Sequence, residues 1–490
     1  MIESLSEYLV SEVVLNSRLR RLTDNAMSLN SLALKEDTEG SLLGHPLDVY
    51  LLIRRMAIDW KEVKDLLRTK DQRLSDVQMR QIGGHSNHTN AVNVTFGAKL
   101  VSSSQQIITN KELNDAAIGV INLVNTYDLD IKSLANGFIR SKSSSGAEVT
   151  SHENQSKLAL NTFDCYLIGK QSFDNKEYLN AKQWLKEAVH RLDDMTSDEI
   201  IADIFNYLSF FEQKIGKPSE AQKYKRLSVA IKPDIETNEL ISESKERSVN
   251  DTNGIFGVKD KPIFGLSANV YQLCRGERLM NDSIVSKLMC FYLNTTKTPI
   301  LTRIKVEEMY KSPQIVVIHD FLSEYETQTI ISLAQPSVFW DRQHKPLQTI
   351  SRRIGAITGL NMNFADEYNV IKYSVGGYAD DHYDGYRITL NISWPVWQRM
   401  ATWINYLSDV GAGGATVFPL INVTVWPTKY SAVFWYTLDK SGELNGQTLH
   451  GGCPVLVGRK WIAGKWFPWM GQEFRKPCDP YDRQSRHYIQ

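Results

Sequence analysis

The chain has 490 residues, with Lys plus Arg and Asp plus Glu both totalling 56 and a formal net charge of zero. That length is too great for one compact core and argues for about two to four domains, while the balanced charge gives no footing for a nucleic acid or an anionic membrane as partner. No apolar run reaches the ~18 residues that a membrane helix needs, so the composition reads as soluble and globular. In chain order, Leu5, Leu9, Val13, Leu19, Leu22 and Met27 fall near helical spacing and predict helix from residue 1 to about 35. A second helix is expected from Pro46 to Leu67, with Val49, Leu52, Ile53, Met56 and Trp60 on one face. It opens after Gly44-His45-Pro46, with proline where a first turn tolerates it. Residues 83–97 and 141–157, rich in Gly, Ser, Asn and His, read as surface loops. Helices without a catalytic constellation suggest a self-association or docking region, with an ordinary bundle as the plain alternative.

Residues 158–230 read as paired helices. Tyr166, Gly169, Phe173, Tyr178, Ala181, Trp184, Leu185 and Ala188 follow the small-and-aromatic pattern of helix-turn-helix repeats. Tyr207, Leu208, Phe210, Phe211, Gly216, Ala221 and Tyr224 supply a second pair, without a strict period. Aromatics so spaced are usually core; lining a groove is the alternative. Residues 232–262 are polar and charged, as in a linker or an exposed helix. Beyond about residue 263 the texture turns to short β-rich runs such as Gln314-Ile-Val-Val-Ile-His, Tyr368-Asn-Val-Ile-Lys-Tyr and Ser431-Ala-Val-Phe-Trp-Tyr. They are punctuated at Gly376-Gly377, Gly411-Ala-Gly-Gly414 and Gly451-Gly452. Many short strands so spaced predict a double-sheet jelly roll. The fold class is therefore multidomain α + β, with the helices first.

The five cysteines are Cys165, Cys274, Cys290, Cys453 and Cys478, with no CxxC and no zinc-finger spacing. Reduced cysteines, or loops closed by Cys274 with Cys290 and Cys453 with Cys478, are both compatible with the spacing. Asn-x-Ser/Thr occurs at Asn87, Asn93, Asn154, Asn250, Asn281, Asn294, Asn391 and Asn422, a density that favours the secretory pathway. Met1-Ile-Glu-Ser-Leu-Ser-Glu shows neither a basic nor an apolar leader region, so that expectation rests on the sequons.

The chemistry is carried by His382-Tyr383-Asp384. On a strand, residues i and i+2 face the same way, so an imidazole and a carboxylate converge. A second histidine completes the two-His-one-carboxylate face that leaves ferrous iron open positions. His450, 68 residues on and followed by Gly451-Gly452, is the candidate. Lys460, ten residues later, offers the cation that the far carboxylate of a chelating 2-oxo diacid needs if it is to be buried. Each element alone is weak; together they define a site.

These residues lie within blocks that resemble the α subunit of collagen prolyl 4-hydroxylase, an iron(II)- and 2-oxoglutarate-dependent dioxygenase. The blocks include Tyr373-Ser-Val-Gly-Gly377, His382-Tyr-Asp384, Ala401-Thr-Trp-Ile-Asn-Tyr-Leu-Ser-Asp-Val410, Gly413-Gly-Ala-Thr-Val-Phe-Pro419, Ala432-Val-Phe-Trp-Tyr436, Cys453-Pro-Val-Leu-Val-Gly458 and Gly471-Gln-Glu-Phe-Arg-Lys-Pro-Cys478. The resemblance continues more weakly through Gly44-His-Pro46, Thr126-Tyr-Asp-Leu129 and Asp164-Cys-Tyr. It implies a helical dimerisation region at 1–140, a tetratricopeptide-like peptide-binding domain at 158–232, a linker at 233–270 and a double-stranded β-helix catalytic domain at 271–480. It implies iron at His382, Asp384 and His450, with 2-oxoglutarate on Lys460 and Tyr373, and Tyr406 and Thr416 in the same pocket. Tyr207 and Phe210 fall at substrate-groove positions. Disulfides Cys274–Cys290 and Cys453–Cys478 are implied, as are ascorbate as cofactor and a collagen-like X-Pro-Gly substrate. Protein disulfide isomerase is the implied β subunit of a heterotetramer held in the endoplasmic reticulum lumen, since Arg486-His-Tyr-Ile-Gln490 carries no retention signal.

The chain departs from that pattern twice. Pro468 stands where the family has a histidine after the lysine, and residues 385–399 replace a charged loop by a shorter apolar one. Peptidyl-proline 4-hydroxylation is the leading expectation. The same chemistry on lysine or a non-collagen protein, and a catalytically weak peptide-binding subunit, are the alternatives.

Overall fold

The computed structural model describes residues 44–59, 108–141, 158–194, 196–233, 269–293, 303–334, 344–385 and 398–477, with single residues 17, 20, 61, 65 and 156. The helix expected at 1–35 lies outside the described residues but for Ser17 and Arg20, as do the 83–97 loop, nearly all of 141–157, the linker at 234–268, residues 386–397 and Cys478.

Helix α1 (Pro46–Arg54) starts where the Gly-His-Pro signal places it. The His45 Nδ1 accepts the Leu47 amide at 3.1 Å, and Pro46 stands in the first turn. Burial pushes the His45 pKa down to about 4, so the ring caps the helix in its neutral form. The expected helix passes through a π turn at Arg55–Asp59; Lys61 and Asp65 beyond it are helical, and the remaining residues to Leu67 lie outside the described residues. Arg54 reaches Asp59, five residues on, at 3.4 Å, matching the i→i+5 register of that turn. Helix α2 (Asn110–Tyr127) begins with a Thr109–Glu112 capping box and buries Leu113, Ala117, Val120, Ile121 and Val124. After the short α3 (Ile131–Ala135), helices α4 (Thr162–Asp174), α5 (Tyr178–His190), α6 (Asp198–Lys214) and α7 (Pro218–Ile231) pack as two helical hairpins, α4 on α5 and α6 on α7. Trp184, Leu185 and Phe211 form their core. The buried Asp164 is reached by Arg54 at 3.5 Å, tying α1 to α4.

The C-terminal part opens with short helices α8 (Val270–Cys274) and α9 (Asp282–Val285). Strands β1 (Cys290–Leu293), β2 (Ile304–Lys311) and β3 (Gln314–His319) follow, then helices α10 (Glu324–Leu333) and α11 (Lys345–Thr358). Strands β4 (Asn369–Tyr373), β5 (Ala379–His382), β6 (Arg399–Tyr406), β7 (Ala412–Gly413), β8 (Thr416–Phe418), β9 (Val423–Val425), β10 (Ala432–Tyr436), β11 (His450–Gly452), β12 (Val455–Val457) and β13 (Lys460–Pro468) complete it. A seven-stranded antiparallel sheet runs β1-β2-β3-β10-β6-β13-β4 and a four-stranded one β5-β11-β8-β9, with β7 and β12 as a separate pair. Period-2 patterning sends Val433, Trp435, Tyr406 and Ile462 into the layer between the sheets, against Phe418, Val423 and Val425. The alternate residues Trp403, Phe434, Ala463 and Phe467 face out under α10 and α11. This is the double-sheet architecture expected from the strand pattern.

The cysteine pairing differs from the expectation. Cys274 is bonded to Cys453, 179 residues away, while Cys290 is free and exposed and Cys165 is free and buried. Helix α8 lies across the minor sheet, with the Asn269 amide on the Pro419 carbonyl at 2.8 Å and the Thr424 hydroxyl on the Leu273 carbonyl at 3.3 Å. Its last residue thereby meets the chain just past β11. Cys290 opens the edge strand β1 of the other sheet, so the two cysteines closest in sequence do not meet. Spacing carries no information about which pairs a fold brings together.

Candidate active site

Strand β11 is paired on one side with β5 and on the other with β8. The register sets His450 opposite His382, and Gly452 opposite Ala379. Three steps on β5 therefore span two on β11, a bulge at Asp380–Asp381 of the kind that re-aims a neighbouring side chain. Gly451 permits it, because a Cβ there would lie 2.6 Å from the Asp381 carboxylate. The two imidazoles come to 4.4 Å between centroids. Asp384, two residues beyond His382, points the same way, and Tyr383 between them turns aside to hydrogen-bond the Gly446 carbonyl at 2.9 Å.

The three side chains converge, with one ligand atom of each within 4.8 Å of the others. His382 Nε2 and His450 Nε2 each stand 3.6 Å from an oxygen of Asp384. Their Nδ1 atoms are taken by backbone carbonyls, Asp380 at 2.7 Å and Thr448 at 3.0 Å. An Nδ1–H donor fixes the tautomer and leaves both Nε2 lone pairs aimed at the common point. The Thr402 hydroxyl on β6 donates to Asp384 at 2.6 Å and orients the carboxylate. Exposure sets the direction of access: the side chains of Asp384 and His450 are 3% and 5% exposed, that of His382 46%. Trp435, edge-on to His450 at 4.7 Å, closes the inner side.

Electrostatics agree with a cation site. Burial works to raise the Asp384 carboxyl, but the charge of His450, hydrogen bonds from His382 and Thr402, and the charge of His382 more than reverse it, holding the group ionised well below the usual carboxylate range. The hydrogen bond to Asp384 raises His382 against its desolvation, while desolvation lowers His450 towards the neutral ring that a metal requires. Two neutral nitrogens and one carboxylate on one face fit iron(II) with open positions.

Lys460 begins β13 opposite Tyr373 on β4. Its ammonium is 4% exposed and lies 5.6 Å from the Tyr373 ring and 5.7 Å from the Tyr406 ring. Tyr406 exchanges a hydrogen bond with Thr416 at 2.9 Å. A Cβ on Gly452, two residues past His450, would come 4.0 Å from the Lys460 ammonium. The cation, both tyrosines and the threonine therefore gather beside the metal-type face. Desolvation lowers the Lys460 pKa to about 7, as expected for a buried cation without an anion beside it. This pocket fits a dicarboxylate whose one end reaches the triad.

Thr402 and Trp435 act through tertiary contact, and nothing local in the sequence assigns them a role at the site; Gly451 is legible only as a turn glycine after His450, not as the residue that admits the β5 bulge. The sequence also missed a pair at the far end of β13. Trp466 is the register partner of Thr402, its indole N–H is buried without a hydrogen-bond partner, and the Arg399 guanidinium stacks on it at 4.1 Å. Pro468, opposite Arg399, ends the strand. Tyr207 and Phe210 stand elsewhere, on α6, packed edge-on around Phe173 at 5.0 and 5.4 Å.

The chain is similar in sequence to known proteins. Residues 368–468 match the description "2OG-Fe(II) oxygenase superfamily", and residues 1–141 match "Prolyl 4-Hydroxylase alpha-subunit, N-terminal region". Prolyl 4-hydroxylase subunit alpha-1 of Gallus gallus is 28% identical, over 98% of this chain and 95% of its own. The alpha-1 subunit of Homo sapiens is 28% identical over 98% and 92%, and that of Caenorhabditis elegans 27% over 97% and 86%. A solved viral collagen prolyl hydroxylase from Paramecium Bursaria Chlorella virus-1 shares 27% identity over 31% of this chain and 93% of its own, at a TM-score of 0.29. The chain is an enzyme with a 2OG-Fe(II) oxygenase domain, and no helix among the described residues is long and apolar enough to cross a membrane.

Proposed function

Because this chain resembles the prolyl 4-hydroxylase α subunits along nearly its whole length, we propose that it hydroxylates peptidyl proline at C4, in X-Pro-Gly segments of a collagen-like chain. The observation that carries the reading is the buried Asp384, set between two histidines whose Nε2 atoms face it, with the Lys460 pocket alongside. His382, Asp384 and His450 hold iron(II), and Lys460 with Tyr373, Tyr406 and Thr416 holds the C5 carboxylate of 2-oxoglutarate. Bound together, iron and co-substrate supply the oxidising power that puts one atom of O2 on the substrate carbon and converts the 2-oxo acid to succinate and CO2.

The chain's own residues bind, orient and exclude water. Lys460 fixes the co-substrate by its remote end, so that the 2-oxo acid reaches the triad in one orientation. The Trp435 and Phe418 rings, 4.7 and 5.6 Å from His450, keep water from the inner side of the metal face. On the open side, the Arg399 guanidinium, about one-third exposed and stacked on the Trp466 ring at 4.1 Å, presents donors for a peptide carbonyl. The helical hairpins of 158–232 supply a tetratricopeptide-like module, in which Tyr207, Phe210, Phe173 and Tyr178 form an aromatic surface for proline rings. Ascorbate serves to keep the iron reduced, protein disulfide isomerase is the β subunit of an α-paired heterotetramer, and the endoplasmic reticulum lumen is its place. Pro468, which offers no side-chain hydrogen bond, favours a second reading in which the chain is a catalytically weak peptide-binding subunit.

The test is mass spectrometry of a (Pro-Pro-Gly) repeat peptide incubated with the chain, its co-expressed partner, iron(II), 2-oxoglutarate and ascorbate. A gain of one oxygen on the proline before glycine, absent with His450→Ala, is expected. Succinate formed without peptide oxidation would move the search to another substrate, and the absence of both would overturn the reading.

A further inference from the structure

The Lys460 pocket is not closed by the β domain alone. One wall is made of two Gly-containing turn segments, Gly411–Gly414, which includes the short strand β7, and Gly452–Val455, which leads from β11 into β12; β7 and β12 pair there at Val455 and Gly413. The Gly414 backbone lies against the lysine stem, where an added Cβ would stand 3.4 Å from Lys460 Cδ. The Pro454 carbonyl joins the turns by accepting the Gly414 amide at 3.0 Å. That same oxygen accepts a second hydrogen bond, at 2.5 Å, from the hydroxyl of Tyr127, the last residue of α2 and 327 positions away. The ring is 7% exposed, and the Gly414 amide lies within reach of its oxygen too. Gly413, at φ +76°, leaves no room to spare, since a Cβ there would come within 2.5 Å of both the Tyr127 hydroxyl and the Pro454 carbonyl.

A second brace enters from the same region. The Gly44 carbonyl, ahead of α1, accepts the amide of Gly458, two residues before Lys460, at 2.9 Å. Around both braces one buried apolar cluster runs from Leu47, Val120 and Tyr127 through Val417 to Leu456 and Val457, without a break at the boundary between helices and sheets. Arg275, next to the Cys274–Cys453 bond, donates to the Thr126 carbonyl at 3.3 Å.

We infer that Tyr127 is a positioning residue for the co-substrate: its hydroxyl fixes the Gly414–Pro454 wall against Lys460, so the N-terminal region completes the 2-oxoglutarate pocket. This rests on the reading of Lys460 as the co-substrate anchor. A carbonyl that accepts both Tyr127 and Gly414 holds the two turns at one separation, and that separation sets the width of the cavity at the lysine head. Without the phenol the Gly411–Gly414 turn, which carries left-handed glycines at 413 and 414, has fewer restraints. The lysine then meets its carboxylate partner at greater entropic cost. The side chains of His382, Asp384 and His450 make no contact with Tyr127 in this brace, so the metal face itself is left as it is.

The experiment compares Tyr127→Phe, Thr126→Val and Lys460→Met in the full chain with its partner, each loaded with manganese(II) in place of iron. Thr126→Val removes a buried hydroxyl that only bonds the Asn122 carbonyl one turn back, and so controls for loss of helix stability alone. Two quantities are read: the dissociation constant of 2-oxoglutarate by calorimetry, and deuterium uptake across residues 411–416 without ligand. Tyr127→Phe is expected to weaken 2-oxoglutarate by about three- to tenfold, the worth of one hydrogen bond, and to speed exchange at Gly414, with manganese affinity unchanged. Thr126→Val is expected to do neither, whatever it does to the melting temperature. Unchanged 2-oxoglutarate affinity and unchanged exchange in Tyr127→Phe would overturn the inference while Lys460→Met still weakens binding. If Lys460→Met binds as the wild type does, the anchor reading itself falls. Should Tyr127→Phe not fold, Gly413→Ala, which crowds the same hydroxyl, takes its place with the same two outcomes.

Discussion

Replacing Lys460 by Met tests the pocket at the group that defines it. The side chain keeps its volume and apolar contacts with Tyr373 and Tyr406, and loses only the charge. Removing one partner of a buried ion pair costs about 3–5 kcal/mol, which is roughly a hundred- to several-thousandfold in the dissociation constant of 2-oxoglutarate. The wild type carries a pH signature that the variant lacks. With the Lys460 pKa near 7 in the free pocket, at pH 8 only about one molecule in ten holds the ammonium that the carboxylate requires. Binding must then take up a proton. The apparent dissociation constant is expected to be flat below pH 6 and to rise about tenfold per unit above pH 7, with one proton bound per ligand. Calorimetry in buffers of different ionisation enthalpy measures that proton directly. Subtracting the Lys460→Met profile removes every titration the two proteins share, those of the metal ligands included. A wild-type affinity independent of pH from 6 to 9, or no proton uptake at pH 8.5, would refute the argument.

The same group predicts a slope in stability. Lys460 has a folded pKa near 7, below its ordinary 10.5, so between those values the unfolded chain holds the extra proton. Stability of the ligand-free protein therefore rises with pH across that window and is lost as pH falls through it, by at most about 1.4 kcal/mol per unit. Lys460→Met should flatten that slope in denaturant titrations at pH 7, 8 and 9. Thr402→Val removes the donor that orients Asp384, and metal affinity, followed by manganese(II) binding, is expected to fall about 10- to 100-fold. Non-reducing peptide mapping should find Cys274 joined to Cys453; a Cys274–Cys290 peptide would return the pairing to the family's expected one. Cys453→Ser, which opens a loop of 179 residues, should lower stability by about 2–5 kcal/mol.

What the sequence disclosed and what it withheld divide along contact range. The pairing of His382 with Asp384 follows from strand alternation, a property of three adjacent residues, and the turn glycines after His450 are equally local. The short β-rich runs Gln314–His319 and Tyr368–Tyr373 are local in the same way, and they recur as β3 and, from Asn369, as β4. The register that sets His450 opposite His382 is different, because a bulge on β5 alters it by one residue. No pattern within either strand announces that bulge. The cysteines show the same limit: spacing left Cys274 with Cys290 and reduced thiols equally open, the family resemblance implied the pair, and tertiary placement joined Cys274 to Cys453. Thr402 and Trp466 reach the site only because β13 and β6 place them side by side.

The departure at Pro468 acquires a physical meaning in that setting. Proline ends β13 opposite Arg399 and brings neither a donor nor an acceptor side chain to the open face. Among the described residues, the Arg399 guanidinium, stacked on the Trp466 ring at 4.1 Å, is an exposed donor on that face. Asp366 holds the guanidinium from the side at 3.6 Å, with Asp366 and Arg399 both about one-third exposed, too exposed for the pair to be worth more than about 1 kcal/mol. Arg399 is thus free to exchange that partner for a peptide carbonyl or a carboxylate at small cost. On the proposed reading, that guanidinium is a contact for the peptide substrate. Arg399→Lys, which keeps the charge but gives up the planar stack, should raise the peptide KM while leaving the 2-oxoglutarate KM alone. An equal change in both constants would mean that the open face and the Lys460 pocket are one site, and the separation between them drawn from β13 would be wrong.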